Sequence, residues 1–189
     1  MALPKLDTPT YELEQPSTGE KIKYRPFLVK EQKTLMMAQE SGDDIQIRDA
    51  LANLISGCTF ELIDPYKVPI FDIEYLFLRI RGKSVGEKVD LNLLCPDDNE
   101  TRVNKSINLE DIGVNMKVGH TNEIDITKKI KMIMKYPTLN DMTDLDVETI
   151  NSTEIFTMIK RCVYEIRDGE TIYNSCLLYT SPSPRDTAI

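Results

Sequence analysis

The strongest pattern along the chain runs from Phe71 to Glu87. From Phe71 to Ile80, apolar side chains fall on nearly every side of a helical projection, and the segment then turns at once into the basic, glycine-punctuated stretch Arg81-Gly82-Lys83-Ser84-Val85-Gly86. A helix apolar all round is enclosed by other elements. Arg79, Arg81 and Lys83 place positive charge near its end, where carbonyls point out unpaired. Upstream, Tyr11 and Leu13 alternate with polar neighbours, Ser17-Thr18-Gly19-Glu20 has turn chemistry, and Ile22 and Tyr24 resume the alternation. That pattern predicts a hairpin. Pro26 ends its second strand, and Leu28 to Glu40 runs without Gly or Pro into Ser41-Gly42, which predicts a helix. A second helix follows from Asp43, with Ile47, Leu51, Leu54 and Cys58 in one stripe widened by Ala50 and Ile55. Pro65 and Pro69 bracket the connector into the enclosed helix.

The period then changes. Val89, Leu91 and Leu93 alternate with Lys88, Asp90 and Asn92, a polar loop spans Cys95 to Glu100, and Val103 and Ile107 mark a return strand. Ile124 and Ile126 pair in the same way with Ile130, Met132 and Met134 across Thr127-Lys128-Lys129, and Pro137 stops the run. Asn151, with Glu154 three residues on, resembles a helix cap with its reciprocal partner. Behind it Ile155, Met158, Ile159, Cys162, Val163 and Ile166 form a stripe that Asp168-Gly169 closes. The expected fold is therefore α+β: an N-terminal hairpin leading into three helices, then antiparallel strands and a C-terminal amphipathic helix. One domain is expected over 1–175, with a helical part at about 27–84, a strand-rich part at about 86–137 and the last helix at about 151–167.

The four motifs Ala2-Leu3-Pro4-Lys5-Leu6 with Thr8 to Leu13, Lys23 to Glu31, Phe71 to Glu87 and Lys135-Tyr136-Pro137-Thr138 resemble, in this order and spacing, baseplate hub subunits of T-even-type contractile-tailed bacteriophages. The resemblance extends to about Tyr173. It implies a virion-assembly protein at the centre of the baseplate, acting as a hub subunit or hub assembly factor. Its partners would be other baseplate hub and tail proteins, including the tape-measure protein, met in the host cytoplasm during assembly and in the virion baseplate. The hairpin-then-helices start is also similar to tail assembly chaperones that hold tape-measure or hub proteins. The family carries over no catalytic, cofactor or metal residue. Cys176 to Asp186 resembles instead the translation of a transposon-type sequencing adapter, so 176–189 is expected to be a non-native tail without fold information.

Acidic residues outnumber basic ones by 31 to 23, for a net charge of -8. That balance opposes binding to a phosphate backbone, which needs a basic face to displace counterions. Outside the tail the cysteines are Cys58, Cys95 and Cys162, an odd and widely spaced set that predicts reduced thiols in a cytoplasm. No apolar run approaches the roughly 18 residues of a membrane span. The start of the chain lacks a basic stretch followed by an apolar one, so secretion is not expected.

Each candidate for chemistry has a plainer structural explanation. Cys95-Pro96-Asp97-Asp98 sits where a zinc ribbon places a Cys-x-x-Cys knuckle, but Asp98 replaces the second cysteine and no second pair exists; an ordinary hairpin turn is expected. His120, between Gly119 and Thr121, is expected on a surface loop with no orienting partner. Asp141, Asp144, Asp146 and Glu148 lack the order and glycine of a calcium loop and predict a solvated acidic connector, with partner docking as the functional alternative. Lys128, Lys129, Lys131 and Lys135 lack interleaved aromatics for stacking on single-stranded nucleic acid. A charged strand edge is expected, with Lys129, Lys131 and Lys135 on one face and the methionines on the other. Met36, Met37, Met132, Met134 and Met158 are expected as core filling, the alternative being an adaptable groove. A tail-tip hydrolase would need paired carboxylates across a cleft, and nothing in the sequence pairs two of them. No catalytic, cofactor-binding or metal residue is therefore assigned.

Overall fold

The computed structural model describes residues 8–98, 100–142 and 152–174. The opening motif at 2–6, Asp144, Asp146, Glu148, the Asn151 cap and the adapter-like tail lie outside the described residues. The chain forms two compact units, Met1–Asn115 and Met116–Ile189. The division falls within the stretch expected to be strand-rich, so its two hairpins belong to different units.

In the first unit β1 (Tyr11–Glu14) and β2 (Lys21–Tyr24) pair antiparallel, with Leu13 opposite Ile22 and Tyr11 opposite Tyr24. α1 (Val29–Ser41) ends at Gly42, whose φ of 66° provides the left-handed stop. The Asp43 carboxylate then accepts from the Ile45 N–H at 2.9 Å and caps α2 (Asp44–Cys58). α3 (Ile70–Val85) is the enclosed helix that its pattern predicts: among its residues only Glu74 and Val85 are exposed. Ile73, Leu76 and Ile80 of α3 pack with Leu54, Ile55 and Cys58 of α2 and with Leu13, Ile22 and Tyr24 of the hairpin. Each such aliphatic side chain stabilises the fold by about 1.5–3 kcal/mol through burial. β3 (Lys88–Leu94) and β4 (Arg102–Asn108) follow as a second, separate two-stranded sheet, and a 3-10 turn at Leu109–Asp111 closes the unit.

The second unit is a four-stranded antiparallel sheet in the order β5 (Glu123–Asp125), β6 (Ile130–Met134), β7 (Val163–Asp168), β8 (Thr171–Asn174), with α4 (Ser152–Cys162) between β6 and β7 in sequence. The mixed α+β class is as expected. Two details differ. The C-terminal helix expected to reach residue 167 ends at Cys162, and Val163 to Asp168 is a strand. Gly169, with φ 59°, makes the tight turn into β8 and does not cap a helix. β6 is not a charged edge, since β5 and β7 flank it on both sides.

Candidate functional site

Three of the motifs that carry the family resemblance, Lys23 to Glu31, Phe71 to Glu87 and Lys135 to Thr138, form internal polar clasps. Lys23 to Glu31 joins β2 to α1. The Arg25 guanidinium donates to both Glu31 carboxylate oxygens, at 2.7 and 3.0 Å, and both side chains are only 13% exposed. Glu31 also accepts from the Leu28 N–H at 2.7 Å, which fixes the first turn of α1. Burial alone would raise the Glu31 carboxyl, but Arg25 and the Leu28 N–H outweigh it and hold it below its ordinary value. The bond to Glu31 in turn raises Arg25. Cys58 lies against this pair, its Sγ 3.9 Å from Glu31 Oε2 and 3.9 Å from Arg25 Nη1. Burial, with the Glu31 charge adding to it, pushes the thiol up to about 12, so it stays protonated and unreactive.

Phe71 to Glu87 supplies three further clasps. Asp72 is fully buried, and its carboxylate accepts from Gln15 Nε2 at 2.7 Å, from the Ser17 N–H at 3.1 Å and from the Ser17 hydroxyl. It ties the β1–β2 turn to the start of α3. Arg79 lies over the Tyr75 ring and donates to the carbonyls of Glu110 and Ile112, both at 3.0 Å. Lys83 donates to Glu87 at 2.5 Å and Glu110 at 2.6 Å, and these bonds raise its pKa while lowering that of Glu110. Arg79 and Lys83 thus fasten the 3-10 turn, and with it the root of the β3–β4 hairpin, to α3. The Ser84 hydroxyl accepts from the Phe27 N–H at 3.0 Å.

Lys135 to Thr138 forms the clasp of the second unit. Asp141 accepts from Lys135 Nζ at 2.9 Å, from the Thr138 N–H at 3.0 Å and from Thr138 Oγ1 at 2.8 Å. Burial opposes its charge, yet these donors lower its pKa. Arg161 of α4 donates to the Asp141 carbonyl at 2.7 Å. Asp141 is therefore a buried tie, and the expectation of a solvated connector fails at this residue.

The other candidates are also structural. Asp98 accepts from the N–H groups of Glu100 and Thr101 at 3.1 and 3.0 Å, so it closes the hairpin tip beside Cys95. His120 is exposed and stacks on Tyr136 at 5.8 Å between ring centroids. Lys131 sits among Glu123 and Asp125, and Arg167 between Glu123 and Glu165, so carboxylates neutralise this face of the sheet. Met132 and Met134 occupy the opposite face, as the alternation predicts. Met36 and Met37 are exposed on α1, against the expectation of core filling, because that helix buries only Ala38. Among the described residues no His, Cys, Asp and Glu group has metal-binding geometry, and no helix is long and apolar enough to cross a membrane.

What the molecule does leave open is apolar surface. On α4, Ile155, Phe156 and Ile159 are exposed, Phe156 by 71%. Of the predicted stripe on this helix, Ile155 and Ile159 are exposed, Met158 is half-buried and Cys162 is buried, and Phe156 stands outside the stripe. Across the sheet Ile124, Met132, Ile166 and Tyr173 align in one row by strand register, its ends Ile124 and Tyr173 exposed. The sequence showed these residues as apolar. It gave no sign that they would face outward, since a stripe looks the same whether it packs within the chain or against a partner.

The chain matches the family described as T4 bacteriophage base plate protein over residues 8–179. No curated protein and no solved structure matches it.

Proposed function

The chain belongs to the T4 bacteriophage base plate protein family, and from that premise we propose that it acts as a baseplate hub subunit or hub assembly factor, working by protein–protein contact without bond-making chemistry. The observation that supports this is the exposed apolar patch on α4. Ile155, Phe156 and Ile159 lie within one turn of each other, and an exposed aromatic flanked by aliphatic side chains has the composition of an interface anchor. The polar clasps support it too. Their charged groups pair within the chain, which keeps the surfaces rigid and leaves apolar contact as the means of recognition. The partners in this proposal are hub and tail proteins of the same phage, met in the host cytoplasm during assembly and retained in the virion baseplate.

The test is co-expression with the hub and tape-measure proteins of the same phage, followed by affinity capture at physiological salt. At least one should co-purify, and a Phe156→Asp, Ile159→Asp variant should lose it while keeping its thermal midpoint. Capture of the tape-measure protein alone would favour a chaperone for tape-measure loading. A chain that captures none of these proteins, or a double variant that binds as well as the parent, would defeat the proposal.

A further inference from the structure

The β3–β4 hairpin is unfinished as a sheet. Its register runs unbroken through seven pairs, Lys88 opposite Asn108 to Leu94 opposite Arg102, yet among the described residues no third strand joins it. One face carries Val89, Leu91 and Leu93 with Val103 and Ile107, Lys105 standing opposite Leu91, and at the outer end Leu93 and Val103 are 45% and 54% exposed. A lone two-stranded hairpin is at best marginally stable in water, and three or more strands or a packed helix are what secure it. The backbone also shows which groups are unspent. Glu87 accepts from the Leu109 N–H and the Cys95 N–H donates to Thr101, so odd-numbered residues bond toward β4. By the alternation of an antiparallel ladder, Lys88, Asp90, Asn92 and Leu94 turn their N–H and C=O groups outward. Among the described residues no backbone hydrogen bond reaches that edge.

The geometry points to a second copy of this chain as the occupant, with β3 pairing antiparallel to β3 of that copy about a two-fold axis at Leu91. Leu91 is the midpoint of the strand, so this register uses all of Lys88–Leu94. It sets Leu91 against Leu91 and Val89 against Leu93 of the second copy, and makes one continuous apolar face of the two central strands, with Lys105 of each β4 at its margin. The hydrogen-bonded pairs become Asp90 with Asn92 and Lys88 with Leu94, the residues whose backbone groups face outward. Charge agrees. Arg102 donates to Asn92 Oδ1 at 3.1 Å, so its guanidinium stands beside the position that Asp90 of the second copy would take. Two competing symmetric registers are penalised: an axis on Asp90 opposes two carboxylates, and pairing through β4 at its midpoint opposes Lys105 to Lys105. Because the same surface serves both copies, the contact closes as a dimer and does not propagate. The inference does not rest on the proposed hub role, and it concerns a different element from the α4 stripe.

The full chain carrying Cys95→Ser and Cys176→Ser tests it by light scattering across a concentration series and by cysteine cross-linking. The mass should double as concentration rises. Asp90→Pro removes an N–H that points away from β4, a position where an edge strand tolerates proline, and should remain monomeric with an unchanged far-UV spectrum. At the axis a non-hydrogen-bonded pair has its Cα atoms about 4.5 Å apart, within disulfide reach. Leu91→Cys should therefore give a reducible dimer, whereas Val89→Cys, about 13 Å from its own counterpart at ~3.3 Å per residue, should not. A monomer at every soluble concentration would overturn the inference, as would a dimer indifferent to Asp90→Pro or equal cross-linking at both positions. Amide protection of β3 that appears only on adding a different baseplate protein would also overturn it, and would assign the edge to a foreign strand. Loss of the dimer with hub capture intact separates this failure from failure of the proposed function.

Discussion

Removing Glu31 should cost far more than removing Glu31 and Arg25 together. Glu31→Ala leaves the Arg25 guanidinium, 13% exposed, with its carboxylate gone and the Leu28 N–H without its acceptor. Breaking a buried pair from one side costs about 3–5 kcal/mol, and the residual exposure places this one near the lower end, at about 3 kcal/mol. The double variant Arg25→Met, Glu31→Leu buries no charge and fills similar volume. It should fall within about 1 kcal/mol of the parent, most of that from the lost bond at the start of α1. Urea unfolding of the parent, Arg25→Met, Glu31→Leu and the double variant at neutral pH gives the coupling directly, with Glu31→Ala measured alongside. The folded-state pKa of Glu31 is lowered from its ordinary 4.5, so its stabilisation is complete above that value and is lost as pH falls through the lower, folded-state value. The gap between parent and Glu31→Ala should therefore narrow on acidification and stay constant from pH 6 upward. If the double variant is as unstable as Glu31→Ala, or if the gap widens in acid, the clasp does not work as described.

Two further substitutions probe the other clasps. Asp72→Asn keeps the shape but turns an amide N–H₂ toward Gln15 and Ser17, which already donate, and should destabilise the first unit by about 2 kcal/mol in denaturant unfolding; a neutral result would mean that the carboxylate is not needed there. Asp141→Ala strips acceptors from Lys135 and Thr138 and should lower stability by about 2 kcal/mol near neutral pH. Because the Asp141 pKa is lowered from 3.8, the difference should persist until the pH drops below that value, as acid titration of the unfolding midpoint would report.

How much of this was legible beforehand depended on whether the signal was local. The β1–β2 hairpin was, because alternation and turn chemistry sit within a few residues of each other. So was α3, because a helix apolar on all sides has nowhere to go but inside. The β7–β8 hairpin was not. Val163 and Ile166 fit the helical stripe begun at Ile155 as well as they fit a strand, and short apolar runs do not separate the two periods. The Asp168-Gly169 turn between Ile166 and Ile172 was the available hairpin signal. The clasps were illegible for another reason. Asp72 reaches Gln15 and Ser17 across more than fifty residues, and no spacing along the chain announces that contact. The Asp141 tie was hidden among acidic neighbours of similar composition. The open face of α4 could not be told from a buried one at all, since only the fold decides what covers a stripe.

Gly57 lets the same reasoning be tested with the sign reversed. It lies inside α2, where replacing glycine by alanine ordinarily stabilises a helix by about 0.5–1 kcal/mol. A Cβ at this position would stand 3.3 Å from Glu31 Oε1 and 3.7 Å from Arg25 Nη2. A free glutamate would swing aside at little cost. This one is held from two directions, by the Arg25 fork and by the Leu28 N–H, so yielding a few tenths of an ångström strains three short bonds together. Gly57→Ala in the parent should therefore lose the usual helix gain and lower stability. In a Glu31→Ala background, with the carboxylate gone, the same substitution should raise stability by the ordinary amount. Only a rigid clasp against the α2 glycine reverses the sign between the two backgrounds. If alanine stabilises equally in both, Glu31 has room to move, and the close approach of α1 to α2 has some cause other than this pair.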